Sequence, residues 1–274
     1  MSRSIVRSGD VALSFEENGR GDAVFFQHGL GADATQVAEV FPTTPGVRRI
    51  TLECRAQGRS DVGPTADFSI RKFGEDLIFV AESLDIRRTM VGGISMGAAI
   101  ALRLAVVCPD LVTGLVLARP AWLFDRAPEN MRPFALVGEL LRRHDPQAAR
   151  NAFERSEVAK RLAREAPDNL ASLRGFFDRP AARTTAALLT AIAGDGPGVS
   201  EAEVHAIAVP TLVIGHVDDL VHPLAYARRL AATIPGARLV EITSKAANRD
   251  RYVAEFRSAL SDFFGRRRLM SRGG

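Results

Sequence analysis

Ser95 stands in the run Gly93-Ile94-Ser95-Met96-Gly97, a G-x-S-x-G pattern. The run lies between Thr89 to Gly92, which reads as a strand, and a strongly apolar stretch from Ser95 to Val107, which reads as a helix. A serine in that place can attack a carbonyl if it sits on a sharp, strained turn with its hydroxyl above the sheet. The flanking glycines let strand and helix close around it. The first N–H of the helix, that of Met96, then faces the negative charge that develops on the attacked group. Outside a strand–turn–helix context, the same five residues describe only a glycine-rich turn with an incidental serine.

A second N–H donor should come from the loop after an early strand. His28-Gly29-Leu30-Gly31 follows the apolar run Ala23 to Phe26 and has that place. With these two motifs the sequence resembles the α/β-hydrolase family, and the resemblance covers nearly the whole chain. It implies that Leu30 supplies the second oxyanion N–H beside Met96, and that His28 orients the loop rather than acting as a base. Glu53-Cys54-Arg55-Ala56-Gln57-Gly58-Arg59-Ser60 resembles the family's D-x-R-G-x-G-x-S turn, with Glu53 in place of Asp and Ala56 in place of Gly. That turn is mainly architectural, so the departures bear on local geometry more than on chemistry.

The resemblance implies the chain order serine, acid, histidine. Thr211 to Gly215 reads as a late strand, and His216-Val217-Asp218-Asp219-Leu220-Val221-His222-Pro223 follows it. The family pattern places the acid four residues before the proline, which selects Asp219. Counting three residues from Gly215 selects Asp218 instead. Pro223 is a good first residue for a helix and fixes where that helix starts, so Asp219 is the expected acid and Asp218 the alternative. Both could also be simple turn and cap residues.

The expected base is missing. The loop before the final helix reads Ser244-Lys245-Ala246-Ala247-Asn248-Arg249-Asp250, and no histidine occurs after His222. Loss of the histidine alone costs a triad enzyme on the order of 10⁶ in kcat. Four explanations stand open. Lys245 could be the base, if burial or a neighbouring cation removed its proton, with Asp219 working against this. His216, His222 or His28 could be recruited, although in the family a histidine just before the loop proline is usually not catalytic. Ala246 or Ala247 could mark a lost histidine. Or the protein hydrolyses nothing, since fold does not fix function.

These residues need a scaffold, and the sequence outlines one. Ile5 to Arg7 and Val11 to Phe15 read as a hairpin across Ser8-Gly9-Asp10, and Arg49 to Leu52 as a further strand. Residues 69–84 have helical spacing, and Leu111 to Leu117 is a buried strand. Continuous apolar strands alternating with helices predict an α/β, doubly wound, mostly parallel sheet. From Pro120 to Ile207 no strand is predicted. Helices over Phe134 to Arg143, Ala148 to Glu165 and Ala181 to Ala193 read as an inserted helical cap. Alternation resumes with a helix over Pro223 to Thr233, a strand over Arg238 to Thr243 and a helix over Tyr252 to Phe264. The expected division is a core of residues 1–120 and 208–265, a cap of 121–207 and a solvated, disordered basic tail of 266–274.

The cap would cover the strand ends, where ligands bind in such sheets. Trp122 is the expected pocket residue, with Met131, Phe134 and Leu136 as further wall candidates, and Arg119 could hold a substrate carboxylate. The expected activity is that of a serine hydrolase acting on a small or medium carboxylic ester, thioester or lactone, without cofactor or metal. The competing reading is a non-hydrolytic or catalytically impaired protein on the same fold, serving as a small-molecule binder, an isomerase or a lyase.

Composition fits this picture. The chain has 274 residues, 46% hydrophobic and 25% charged, enough to bury a core without disulfides. The net charge of +4 comes almost wholly from scattered arginines, with only Lys72, Lys160 and Lys245 as lysines. No nucleic-acid motif accompanies it, so a small-molecule substrate is the expected partner, with neither nucleic acid nor membrane. Cys54 and Cys108 form no CxxC pair, and the N-terminus shows no secretory apolar run. A cytoplasmic location is the expectation.

Overall fold

A computed structural model describes residues 2–272, with side chains to Arg266. The first half contains β1 (Ser2–Ser8), β2 (Val11–Gly19), β3 (Asp22–Gln27), α1 (Ala34–Val40), β4 (Val47–Leu52), α2 (Ile70–Ser83), β5 (Thr89–Ile94), α3 (Met96–Val107) and β6 (Val112–Ala118). Only helices and 3-10 turns lie between β6 and the next strand: α4 (Arg132–Arg143), α5 (Pro146–Arg155), α6 (Glu157–Glu165), α7 (Pro167–Arg174), α8 (Ala182–Ala193) and α9 (Glu201–His205). The chain ends with β7 (Thr211–Gly215), α10 (Leu224–Thr233), β8 (Arg238–Glu241) and α11 (Arg249–Arg272).

The eight strands form one sheet in the order β1-β2-β4-β3-β5-β6-β7-β8. β1 and β2 pair antiparallel, as do β2 and β4, and every later pairing is parallel. The apolar strand runs serve both faces through the two-residue period of a strand. In β3, Phe25 joins the core formed with α2 and α3, while Val24 and Phe26 join the core formed with α1 and α11. Val213 faces the first side from β7, and Leu212 and Ile214 face the second. The parallel strands all point their C-terminal ends to one edge, and the residues singled out above gather there.

Most differences from the sequence reading are explained locally. The helix expected over Ala148 to Glu165 is two helices, because Ser156 is extended (φ −71°, ψ 150°) and its hydroxyl accepts from Ala159 N–H to cap α6. Helices α1, α7 and α9 were not expected; each is short, of seven, eight and five residues, and gives little periodic signal. The last helix begins three residues before Tyr252, and its backbone continues beyond Phe264 to Arg272. The side chains of most of the expected 266–274 tail lie outside the described residues. Among the described residues, no helix is long and apolar enough to cross a membrane.

Candidate active site

Ser95 sits between β5 and α3 with φ 57° and ψ −112°, a conformation that costs a non-glycine residue about 1–3 kcal/mol. The surroundings enforce it. Ser95 N–H donates to Ala118 O at 2.9 Å, tying the turn to the end of β6. A Cβ on Gly93 would lie 2.5 Å from the Gly97 carbonyl carbon, and one on Gly97 would lie 2.4 Å from Gln27 O. Only glycine allows strand, helix and the end of β3 to meet this closely. The serine is largely buried, yet it lines a cavity.

The loop after β3 is braced from three sides. His28 uses both ring nitrogens on backbone: Nδ1 bonds Gly29 O at 2.8 Å, and Nε2 accepts from Cys54 N–H at 3.1 Å. Fully buried, with burial lowering its pKa, it is a neutral strut with no nitrogen to spare for Ser95. Gly29 N–H donates to Gln36 Oε1 at 2.8 Å, and Gly31 N–H to Gln57 Oε1 at 2.7 Å. The N–H of Leu30, between them, has no acceptor among the described residues. Met96 N–H, the first of α3, has no carbonyl one turn back to bind. The Glu53–Ser60 turn therefore works as a prop, through Cys54 and Gln57. Its departures are accommodated: Ala56 takes φ 60°, Glu53 Oε2 accepts from Arg59 N–H at 2.9 Å, and Arg55 grips Asp76 with two bonds of 2.6 and 2.9 Å.

The nitrogen that meets Ser95 belongs to His222. Its Nε2 lies 2.8 Å from Ser95 Oγ, and its Nδ1 lies 2.9 Å from both carboxylate oxygens of Asp219. Acid and imidazole are three residues apart on the β7–α10 loop, and His222 N–H closes that turn on Asp219 Oδ1 at 3.0 Å. Arg119 Nη2 also stands 3.2 Å from Nδ1. A guanidinium can only donate and a carboxylate can only accept. Two acceptors at 2.9 Å outweigh one donor at 3.2 Å, so the proton is placed on Nδ1, which leaves Nε2 free to accept from the serine. Burial lowers the His222 pKa; Asp219 raises it and Arg119 lowers it again, for a net decrease. The imidazole is neutral near pH 7, the form a base requires.

Asp219 is nearly fully buried and heavily bonded. It accepts from Arg119 Nε at 3.0 Å and Nη2 at 2.6 Å, and from Asn169 Nδ2 at 2.9 Å. Burial alone would raise its pKa, but Arg119 and His222 hold it well below the ordinary carboxylate range. Asn169 comes from α7, and its Oδ1 also accepts from Leu220 and Val221 N–H at 3.0 Å each. It was not anticipated, because an asparagine near a helix start carries no distinctive pattern.

The chain matches the alpha/beta hydrolase fold family model over residues 22–245. It is a member of the α/β-hydrolase fold family. A relative from Pseudomonas syringae pv. syringae (strain B728a), named as carbamate hydrolase RutD, is 32% identical over 188 residues, covering 67% of this chain and 70% of the relative. Another from Mycobacterium tuberculosis (strain CDC 1551 / Oshkosh), named as non-heme bromoperoxidase BpoC, is 29% identical over 240 residues, covering 85% and 89%. The enol-lactonase structure from Burkholderia xenovorans LB400 superposes with a TM-score of 0.71 at 25% identity, covering 96% of this chain and all of that one. Such relatives support an enzyme of this family.

Within this α/β-hydrolase fold, several expectations change. Lys245, one of the candidate bases, makes no hydrogen bond or ion pair among the described residues and is absent from the cavity lining; the nitrogen at Ser95 is that of His222. His216 is also not at the serine, since its Nδ1 bonds Val217 O at 2.6 Å and its ring packs edge-on against Tyr252. Asp218 points away, accepting from Ser244 Oγ at 2.9 Å. Arg119 lines the cavity, but its guanidinium is committed to Asp219. Trp122 is not a pocket wall: it is buried, and its Nε1 donates to Asp195 O at 2.9 Å, fastening the start of the helical stretch to its end. Met131 is likewise core; of the expected wall residues, only Phe134 lines the cavity.

The cavity measures about 270 Å³, and Ser95, His222 and the Gly29–Ala32 loop form its inner side. Phe134 and Phe176, edge to face at 5.8 Å, form an apolar wall. Phe176 lies so close to the loop that a Cβ on Gly31 would come within 2.3 Å of its ring. At the small end of ligand pockets, this volume suits a compact molecule.

Proposed function

We propose that the protein is a serine hydrolase that cleaves small carboxylic esters, thioesters or lactones through an acyl-enzyme on Ser95, with no cofactor. The observation that carries this is the 2.8 Å contact between His222 Nε2 and Ser95 Oγ beside the cavity. Ser95 Oγ attacks the carbonyl carbon while His222 Nε2 takes its proton. The charge on the carbonyl oxygen is met by the N–H groups of Leu30 and Met96. The proton then passes from Nε2 to the leaving oxygen or sulfur, and that bond breaks. Water, deprotonated by the same nitrogen, releases the acid and restores the serine. Asp219 holds the imidazole with its proton on Nδ1 and stabilises the transient imidazolium. The helices between β6 and β7 act as the cap of this site. The names of the relatives, a carbamate hydrolase and an enol-lactonase, agree with acyl chemistry.

The test is labelling with a fluorophosphonate probe. Ser95 becomes labelled in the wild type, and Ser95→Ala abolishes labelling. No labelling anywhere from about pH 6 to 9 would overturn the reading.

One observation favours a second reading. Arg119 shares the Asp219 carboxylate with His222 and so opposes formation of an imidazolium, which suits a site that polarises a carbonyl without being acylated. Turnover of a ligand that survives Ser95→Ala would establish that isomerase- or lyase-like role.

A further inference from the structure

We propose that Arg179 makes this cavity selective for acyl substrates bearing a second, anionic group, so that the substrates are half-esters or half-thioesters of small dicarboxylic acids, or lactones carrying a carboxylate. This deepens the hydrolase reading and rests on it for the reacting carbonyl, but not for the binding of the anion.

Arg179 follows the short turn Gly175–Asp178 and lines the cavity together with Leu30, Ser95 and His222. Its guanidinium lies over the Phe176 ring, 5.4 Å from the centroid, and Nη2 donates to Gly31 O at 2.6 Å. Other arginines withdrawn from solvent in this molecule have a carboxylate partner: Arg49 has Glu16, Arg55 has Asp76 and Arg119 has Asp219. Arg179 has none within ion-pairing distance among the described residues. The carboxylate whose field reaches it, Asp33, is engaged by Thr35, whose N–H donates at 2.8 Å. Burial accordingly lowers the Arg179 pKa.

The charge balance of the cavity points the same way. No aspartate or glutamate lines it. The charge of Arg119 is cancelled by Asp219, and His222 is neutral. One positive charge remains, half-withdrawn from water and stacked on an aromatic face. Such a charge is costly unless a partner arrives. A guanidinium has five N–H donors in a planar fork that matches a carboxylate, and the bond to Gly31 uses one of them. Its anchor, Gly31, is the residue after Leu30, so the charge rides on the loop that faces the reacting carbonyl.

Two esters of equal acyl length separate this from a role in bracing the loop alone: 4-nitrophenyl butyrate, which is neutral, and 4-nitrophenyl hydrogen succinate, which carries a carboxylate. The wild type is expected to prefer the succinate ester. In Arg179→Gln the succinate-to-butyrate ratio of kcat/KM is expected to fall on the order of 10- to 100-fold, mainly through KM, and Arg179→Lys to restore part of it. An equal loss on both esters, or a wild type without preference for the anion, overturns the proposal. Calorimetric binding of monomethyl succinate to Ser95→Ala and to Ser95→Ala combined with Arg179→Gln reads the anion site even where no ester is turned over. Binding lost only in the double variant supports it, and equal binding by both overturns it.

Discussion

The loop after β7 and the loop after β8 are two connections at the same edge of one sheet, and they have opposite chemical content. The first, His216 to Pro223, holds a carboxylate and an imidazole locked together and aimed at Ser95. The second, Ser244 to Asn248, holds a serine that bonds Asp218 and a lysine with no partner among the described residues. The resemblance to the α/β-hydrolase family directs attention for the histidine to the second loop. On the proposed hydrolase reading, the contrast teaches that the geometry at the serine constrains a base more tightly than its place in the chain does. What matters is a nitrogen within reach of Ser95 Oγ and a carboxylate behind it, and one turn of eight residues supplies both.

The strongest way to break this contrast is His222→Ala. If the β7–α10 loop carries the base, kcat on an activated ester falls by on the order of 10⁵ to 10⁶, with an unchanged circular dichroism spectrum. A loss below tenfold would return attention to the other loop. Asp219→Asn should follow, with a fall on the order of 10⁴, because an amide can present an N–H to Nδ1 and stabilise the wrong tautomer. Asp218→Asn should cost less than tenfold, which steady-state kinetics on the pair will decide.

The pH dependence sharpens the comparison further. On the proposed mechanism activity requires neutral His222, whose pKa lies below the ordinary 6.5 because burial and Arg119 outweigh Asp219. The acid limb of kcat/KM should therefore fall below pH 6.5 in the wild type. In Arg119→Gln it should move upward, because burial alone then opposes the raising effect of Asp219. The same sign applies to stability. His28, His216 and His222 are all more acidic in the fold than in the unfolded chain. Their contribution is complete above about pH 6.5, begins to fall below that value as the unfolded chain takes up protons first, and is lost as pH drops through the lower folded-state values. Thermal melts between pH 7.5 and 5 should show Tm falling with acid. The smallest effect belongs to Lys245→Ala, expected within about twofold of wild type on any ester, as for a surface change remote from the chemistry.

Much of this site was legible in the sequence, and the reason is locality. Ser95 and its glycines, the His28–Gly31 loop and Asp219 each belong to a short run whose backbone task dictates its residues. A strand–turn–helix at Ser95 needs Gly93 and Gly97, and the sequence states so directly. The parallel sheet was legible for the same reason, because strands buried on both faces read as unbroken apolar runs. His222 is one of the three histidines the sequence offers for recruitment, and the family's usual chain order argues against it. Its spacing from Asp219, with a helix starting just after Pro223, was the available signal. Asn169 and Arg179 could not be found this way. They lie on or just after α7, and only the packing of that segment against the β3 and β7 loops gives them a role. Trp122 misled for a related reason: an aromatic after a strand reads alike whether it faces a ligand or, as here, fastens one stretch of backbone to another.

With carboxylate and imidazole on a single short turn, their alignment is inherited from local backbone closure and does not depend on how accurately two separate strands are set. A small drift of β8 or of α11 would leave the pair intact relative to each other. The segment thus behaves as a self-contained unit, and the connection that follows β8 touches it through the Ser244–Asp218 bond and not through the acid or the imidazole at Ser95.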